Sequence, residues 1–153
     1  IYGPNESKSK DYGLIYSDLN EKEKNMDPEE LYLSKLNKTL CSISSNSDLY
    51  VLEPIPEIGV DVPLTISRKL FLGKDPSTGI TIFDYKNRNK KIIRQLNESK
   101  NKCNFKTIET SNYLCSSDGI CKANEDKMPL YFDDDHLSEY GNKKLIPAFK
   151  KIN

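Results

Sequence analysis

The chain has 153 residues with 23 basic and 23 acidic side chains, so its net charge is zero. This length suits one domain around one core, and the balanced charge indicates neither a nucleic-acid footprint nor a membrane-surface patch. No run approaches the roughly 18 apolar residues that a membrane-spanning helix needs. The sequence opens at Ile1 without a Met or an export signal, so we expect that a signal was removed or that this is a piece of a longer protein.

Polar residues dominate the first part of the chain. Residues 1–26 are rich in Asn, Glu, Ser, Lys and Asp, which predicts a surface loop or arm ahead of an α/β body at 27–153. The body begins with a helix whose N-cap is Asp27, with Pro28 at the first position. Apolar residues at helical spacing predict its buried stripe: Leu33, Leu36, Leu40 and Ile43.

Short apolar runs predict the strands, and amphipathic segments predict the remaining helices. A strand is expected at 48–53, where Pro54 and Pro56 stop it, and a second strand at 103–110. A third strand-like piece follows at 129–132. The predicted helices span 63–72, 81–100 with Phe83, Ile92, Ile93 and Leu96 inward, and 137–152 with Tyr140, Leu145, Ile146 and Phe149 as the buried face. This alternation is typical of a parallel α/β sheet with helices on both faces.

Four cysteines occupy positions 41, 103, 115 and 121. Cys115 and Cys121 bracket a short polar loop, which suits a small disulfide-closed loop in an oxidising compartment. Zinc is the competing interpretation, but the spacing lacks the paired C-x2-C knuckles of structural zinc sites. Cys41 and Cys103 are each predicted just before a strand at one sheet edge, where they form either a second bridge or two buried free thiols.

His136 is the only histidine, so any imidazole chemistry of this chain runs through it. It follows three aspartates and stands between a strand-like segment and the last helix, at the kind of strand end where α/β proteins place their sites. Asp133 lies three residues earlier. At that spacing its carboxylate can accept the Nδ1 proton across a tight turn, which leaves Nε2 free as a general base. In that arrangement Asp134 and Asp135 either lie in an outer layer around the Asp133–His136 pair or are solvated.

Two other interpretations of this acidic segment remain open. Residues 133–138, DDDHLS, can simply cap the final helix, with Asp135 as N-cap and the other acids favoured by the helix dipole. A calcium loop fits less well, because the D-x-D-x-D-G spacing and a Glu at the twelfth position are missing. We expect no metal ion and no cofactor in this domain.

Two motifs resemble a known family. CSSDGIC (115–121), followed by MPLYFDDDHLSEYGNKKL (128–145), is similar to the C-terminal block of the SGNH hydrolase-like domain fused to membrane acyltransferases of acyltransferase family 3. VLEPIPEIGVDVP (51–63) resembles that family's Pro-Ile-Pro-Glu loop at a strand end. The resemblance covers residues 45–152 in order. It implies a three-layer, SGNH/flavodoxin-like parallel sheet with helices on both faces, incomplete in this chain.

The resemblance also implies roles for individual residues. Asp133 would orient and His136 would be the general base of a Ser-His-Asp triad, and Cys115 and Cys121 would form a disulfide. The domain would face the periplasm at the inner membrane and transfer acetyl groups to an extracytoplasmic polysaccharide such as lipopolysaccharide O-antigen. The expected partners are that polysaccharide acceptor and an acyltransferase membrane domain that handles the acyl donor, with no nucleic acid.

The nucleophile of such a triad is missing from the sequence. No Gly-Asp-Ser and no Gly-x-Ser-x-Gly occurs in it, and Ser138, two residues beyond His136, is expected to be a helix-start hydroxyl. We therefore expect the serine to belong to a missing N-terminal part of the same domain and this chain to be inactive alone. The alternatives are a secreted carbohydrate esterase of the same fold and a non-catalytic interaction module.

Overall fold

A computed structural model describes residues 19–150 and residue 152 of the chain. Its helices are α1 (Glu21–Lys24), α2 (Pro28–Ser44), α3 (Val62–Phe71), α4 (Ile82–Arg88), α5 (Lys90–Lys100), α6 (Ser111–Leu114), α7 (Glu139–Asn142) and α8 (Ile146–Phe149), with a 3-10 turn at Lys143–Leu145. Its strands are β1 (Leu49–Leu52), β2 (Gly79–Thr81), β3 (Phe105–Ile108), β4 (Ile120–Lys122), β5 (Asn124–Glu125) and β6 (Met128–Pro129). None of these helices is both long enough and apolar enough to cross a bilayer.

The predicted arm at 1–26 lies largely outside the described residues. Its last part contains α1, so the prediction of a loop is wrong at that point. A reciprocal capping box closes this single turn, because the Asn20 side chain accepts from the Glu23 amide at 3.0 Å and the Glu23 carboxylate accepts from the Asn20 amide at 3.2 Å.

Helix α2 begins where the sequence predicts. The Asp27 carboxylate accepts from the Glu29 amide at 3.0 Å and from the Glu30 amide at 3.2 Å, and a proline occupies the first turn. The predicted buried stripe is only partly right. Leu40 is buried, but Ile43 is exposed, because the inward face continues four residues on from Leu40, through Ser44.

The chain divides into two compact units. Among the described residues, unit 1 comprises 52–90, 108–150 and 152, and unit 2 comprises 19–51 and 91–107. The single domain over 1–153 that the sequence suggests stays a prediction.

Unit 2 contains a small parallel sheet and an apolar core. Strands β1 and β3 pair with each other in this sheet, as expected of an incomplete α/β fold. Its buried core consists of Leu40, Leu96 and Phe105. A disulfide joins Cys41 to Cys103, so of the two alternatives for this pair the structure has the bridge. Cys41 lies in the last turn of α2, whereas the sequence placed it just before a strand.

The predicted helix at 81–100 is two helices. Asn89 ends α4, and both its backbone amide and its side-chain amide donate to the Tyr85 carbonyl at 3.1 Å. Phe83, predicted to face inward, is exposed because it lies in the first turn of α4, whose buried residue is Tyr85.

Unit 1 is built from short antiparallel pairs and helices. β2 pairs with β4, and β5 pairs with β6. The third strand expected at 129–132 is therefore reduced to β6 and an isolated bridge between Tyr131 and Leu137. The buried core of this unit consists of Ile58, Val62, Ile66, Ala123, Leu130 and Tyr131.

The closing helix predicted at 137–152 is broken into α7, the 3-10 turn and α8. A β-carbon at Gly141 would clash with the backbone oxygen of Leu130, so this segment packs directly against the chain before the acidic turn. Pro147 lacks an amide hydrogen and lies in the first turn of α8. The predicted face is wrong apart from Leu145, because Tyr140, Ile146 and Phe149 are exposed while Gly141 and Ala148 are buried.

Candidate active site

The three aspartates and His136 form a tight turn between Tyr131 and Leu137. The Phe132 amide donates to the His136 carbonyl at 2.7 Å, which closes the turn. Inside it, Asp133 Oδ1 accepts from the His136 amide at 2.7 Å and from the Asp135 amide at 3.1 Å. The carboxylate of Asp133 therefore shapes the backbone that carries the histidine.

The other carboxylate oxygen of Asp133 holds the imidazole. Asp133 Oδ2 lies 2.9 Å from His136 Nδ1, so the structure brings together the two residues that the sequence singled out. The His136 side chain is 74% exposed, and Nε2 makes no hydrogen bond with any described residue. When the proton on Nδ1 is hydrogen-bonded to Asp133, the lone pair of Nε2 is available to accept a proton from a nucleophile.

The electrostatics of the turn favour a charged pair. Partial burial by itself would raise the pKa of Asp133, but the amides of His136 and Asp135 and the imidazole outweigh it and lower this pKa to about 2. The hydrogen bond that Nδ1 donates to Asp133, followed by the negative charge of Asp135, raises the pKa of His136. The protonated form of His136 is thus stabilised by two carboxylates.

Asp135 plays a more direct part than the sequence indicated. Its Oδ1 lies 2.8 Å from His136 Nδ1, so it is neither an outer-layer residue nor a solvated one. Burial, partly offset by the imidazole and reinforced by the charges of Asp134 and Asp133, raises the pKa of Asp135. Asp134 is buried and points its backbone carbonyl at the amide of Ile58, 2.7 Å away.

A loop with two prolines, residues 54–61, is hydrogen-bonded to the turn. We call this segment the proline loop. The amide of Ile58 donates to the Asp134 carbonyl, and the amide of Val62, the first residue of α3, donates to the Asp133 carbonyl at 3.2 Å. The Tyr131 hydroxyl, fully buried, donates to the Pro56 carbonyl at 2.6 Å. The backbone before and within the turn is therefore tied to the proline loop.

Buried hydroxyls also hold the beginning of the proline loop. Thr110 Oγ1 donates to the Pro54 carbonyl at 2.6 Å, and the Tyr85 hydroxyl donates to the same carbonyl at 2.9 Å. Glu57, which the sequence places in this loop, forms an ion pair with Arg88 of α4. Burial, followed by the charge of Glu57, raises the pKa of Tyr131, so its hydroxyl stays a donor at any physiological pH.

Ser138 caps the helix that follows the turn. Its Oγ accepts from the Gly141 amide at 3.1 Å and donates to the Pro129 carbonyl at 3.0 Å, which is the helix-start role expected of it. The N-cap of α7 is therefore Ser138, and the alternative in which Asp135 caps this helix is wrong. The hydroxyl therefore both donates to and accepts from backbone groups.

The turn also brings together atoms of the type that bind cations. Ligand atoms of Asp133, Asp135 and His136 all lie within 4.8 Å of one another. Two carboxylates and one imidazole are a usable donor set, although exposed acidic groups commonly carry no ion. The expectation that no metal binds here stays a prediction.

The second pair of cysteines closes a small loop in unit 1. A disulfide joins Cys115 to Cys121, whose Cα atoms are 3.8 Å apart. The bridge fixes the chain just ahead of β5 and β6, which lead into the acidic turn. It agrees with the pairing that the sequence resemblance implied.

Comparison with known proteins assigns the family. The chain matches the SGNH domain fused to AT3 domains over residues 3–151, and it belongs to that family. No match was found among curated proteins or among solved structures. The chain is thus an SGNH module of the acyltransferase-associated type, and this class supports esterase or acyltransferase activity in the parent protein.

Sequence reasoning missed the residues that support the turn. The Tyr131 hydroxyl and the amides of Ile58 and Val62 position the aspartates from outside the DxxH motif. A tyrosine directly before the motif is a signal for a buried hydroxyl with a partner, but the identity of the partner depends on the fold.

Proposed function

We propose that this chain supplies the Asp-His half of a Ser-His-Asp acyl-transfer site in the periplasmic SGNH domain of a membrane O-acyltransferase. In this proposal the enzyme transfers acetyl groups to an extracytoplasmic polysaccharide such as O-antigen. The serine lies in a part of the domain outside these residues. The observation that carries the proposal is the 2.9 Å contact between Asp133 Oδ2 and His136 Nδ1 beside an exposed Nε2.

The proposed reaction has two acyl-transfer steps, and the protons of both steps pass through the same nitrogen. His136 Nε2 takes the proton of the serine hydroxyl while the serine oxygen attacks the acyl carbonyl, and the donor leaves with that proton. A sugar hydroxyl then gives its proton to Nε2 and attacks the acyl-serine ester, and the proton returns to the serine oxygen. Water in place of the sugar produces hydrolysis. Asp133 and Asp135 stabilise the imidazolium in both steps.

Two further features support a periplasmic location and a membrane-bound parent. All four cysteines are paired in disulfides, which persist in oxidising compartments such as the periplasm. The family is one of domains fused to AT3 domains, which are membrane domains. In the proposal the AT3 domain handles the acyl donor and the SGNH domain delivers the acyl group to the polysaccharide.

The first test measures the acetyl content of the polysaccharide in cells that produce the full-length parent protein. His136→Ala and Asp133→Asn should each reduce acetylation by about three orders of magnitude or more in initial rate. Asp126→Asn is the matched control. It removes the same charge from an exposed aspartate whose left-handed φ of 50° suits asparagine. Unchanged acetylation in His136→Ala would leave only the non-catalytic interaction module.

The same variants separate a transferase from the second candidate, a secreted carbohydrate esterase. A transferase variant loses acetyl groups from the polysaccharide, whereas an esterase variant accumulates them. The direction of the change in acetyl content therefore decides between the two functions. A chelator added to the purified parent should leave the activity unchanged, and loss of activity would instead favour a cation held by the acidic turn.

A further inference from the structure

Helix α3 ends in a way that leaves apolar side chains outside the protein. Gly73, at a φ of +64°, turns the chain back after the helix. The Gly73 amide donates to the Leu70 carbonyl at 3.0 Å, and the Lys74 amide donates to the Lys69 carbonyl at 2.8 Å, which is the pattern of a Schellman motif. Such motifs are usually sealed by an apolar contact between the two positions that are here Lys69 and Lys74.

The apolar residues at this helix end are therefore not used to close it. Phe71 is 90% exposed and Leu72 is 63% exposed, and their neighbour Leu70 is also exposed. Phe71 and Leu72 line one shallow depression of about 340 Å³ together with Ser67 and Arg68. Adjacent large apolar side chains in such an exposed position commonly mark a contact surface.

Basic side chains flank this apolar group. Arg68 and Lys74 are exposed on either side of it, and Lys69 anchors the following segment through the Ser77 carbonyl at 2.6 Å and Thr78 Oγ1 at 3.1 Å. Within residues 68–75 the one acidic side chain is Asp75, which accepts from the amide and hydroxyl of Ser77. Residues 68–75 thus hold three basic side chains and one acidic side chain.

We propose that residues 68–74, which we call the α3 patch, contact an anionic lipid surface. A phenylalanine and leucines can enter the region between headgroups and acyl chains, while Arg68 and Lys74 bind acidic headgroups at the same depth. A protein partner of mixed charge would not need this pairing of apolar centre and basic rim. The net charge of the whole chain is zero, so it gives no sign of the excess of basic residues within the α3 patch.

The membrane-bound parent of the proposed function puts such a surface within reach, so the inference rests on that part of the proposal and not on its chemistry. The α3 patch would orient the SGNH domain on the bilayer. Helix α3 follows directly after the proline loop that supports the acidic turn, so contact through its far end would fix the direction in which the turn faces.

The test uses the complete SGNH domain, that is, the 153-residue chain together with the N-terminal part expected upstream of it, and sedimentation with lipid vesicles. Vesicles of phosphatidylcholine with about 30% phosphatidylglycerol should bind the chain, and pure phosphatidylcholine should bind it several-fold less. A Phe71→Ser/Leu72→Ser double variant should lose roughly tenfold or more of the partitioning. An Arg68→Gln/Lys74→Gln variant should lose the preference for the anionic lipid, and added salt should weaken binding by the native chain.

Two controls make the outcome decisive. Phe83→Ser removes another exposed phenylalanine, outside the α3 patch, and should bind like the native chain. His136→Ala should also bind normally, so failure of the catalytic proposal is distinguishable from failure of this one. Equal binding by native chain and double variant, or no binding by a native chain whose circular dichroism shows it folded, would overturn the proposal. So would a dimer that the double variant abolishes without any vesicle binding.

Discussion

The two compact units differ in how they are held together. Unit 2 relies on an apolar core of Leu40, Leu96 and Phe105 and on a disulfide that closes a separation of 62 residues. Unit 1 has a larger apolar core of six buried residues and a disulfide across only 6 residues, and buried hydroxyls there also donate to backbone carbonyls, such as Tyr131 to Pro56. The first arrangement is non-directional, whereas the second adds directional bonds to its apolar core.

This difference follows what each unit has to do. A directional bond between a buried hydroxyl and a carbonyl fixes the path of the backbone, and the Asp133 and His136 side chains depend on that path for their contact. Apolar contacts and a long disulfide raise stability without specifying any one side-chain position. Unit 1 therefore holds the candidate chemistry and adds directional bonds around it to an apolar core of its own.

The largest expected effect separates the two disulfides. Cys41→Ser/Cys103→Ser should lower the free energy of unfolding by about 4 kcal/mol, and Cys115→Ser/Cys121→Ser by about 2 kcal/mol, because the longer loop gains more freedom when it is opened. Urea denaturation followed by circular dichroism measures both. A larger loss of unfolding free energy in Cys115→Ser/Cys121→Ser than in Cys41→Ser/Cys103→Ser would contradict the greater role assigned to the long disulfide of unit 2.

A single hydroxyl tests the directional bonding of unit 1. Tyr131→Phe leaves the Pro56 carbonyl without its buried donor and should cost about 1–3 kcal/mol in the free energy of unfolding. Activity of the parent protein should fall as well, because the backbone before the turn loses its hydrogen bond to the proline loop. Tyr32→Phe is the matched control, since this tyrosine is exposed in α2 and should tolerate the change. Equal free energies of unfolding for Tyr131→Phe and Tyr32→Phe would show that the Tyr131 hydroxyl does not stabilise the fold.

The electrostatics of the turn can be measured on one resonance. His136 is the only histidine, so its imidazole protons can be assigned directly by NMR. The pKa of His136 should lie above its ordinary value and should fall in Asp133→Asn, with a smaller fall in Asp135→Asn. The raised pKa of His136 contributes stability that is fully present below its ordinary pKa of 6.5 and is lost as pH rises through the raised value. The lowered pKa of Asp133 contributes stability that is present above its ordinary pKa of 3.8 and is lost as pH falls toward about 2. An unshifted pKa in the native chain would show that the contact is absent in solution.

The smallest expected effect concerns a residue that the sequence predicted to be buried. Ile43→Ser should change the free energy of unfolding by no more than about 0.5 kcal/mol, because the side chain is already exposed on α2. Leu40→Ser, on the buried face of the same helix, should cost several times more. Similar costs for the two variants would mean that the helix is rotated relative to the structure.

Local signals explain what could be read from the sequence. The Asp27 cap, the start of α2 and the Asp133–His136 contact each depend on residues within a few positions of one another. A carboxylate three residues before a histidine is close enough along the chain to reach the imidazole across a turn. The family match adds the acyltransferase association to these local features.

What could not be predicted depends on distant packing. The helix expected at 137–152 is broken because Gly141 lies against the Leu130 backbone, and helical periodicity carries no information about that approach. The proline loop holds the turn through main-chain groups, which leave no mark in a pattern of side chains. Asp135 reaches Nδ1 only because the turn folds it back onto the imidazole.

In the proposed mechanism Asp133 and His136 activate a serine that lies outside this 153-residue chain. The most direct measurement treats the full-length parent protein with a fluorophosphonate, which forms a covalent ester with an activated serine, and maps the labelled residue by peptide mass spectrometry. We expect one labelled serine upstream of Ile1 in the parent and loss of labelling in His136→Ala. Labelling of Ser138 or of another serine within these 153 residues, or labelling that persists without His136, would contradict this mechanism.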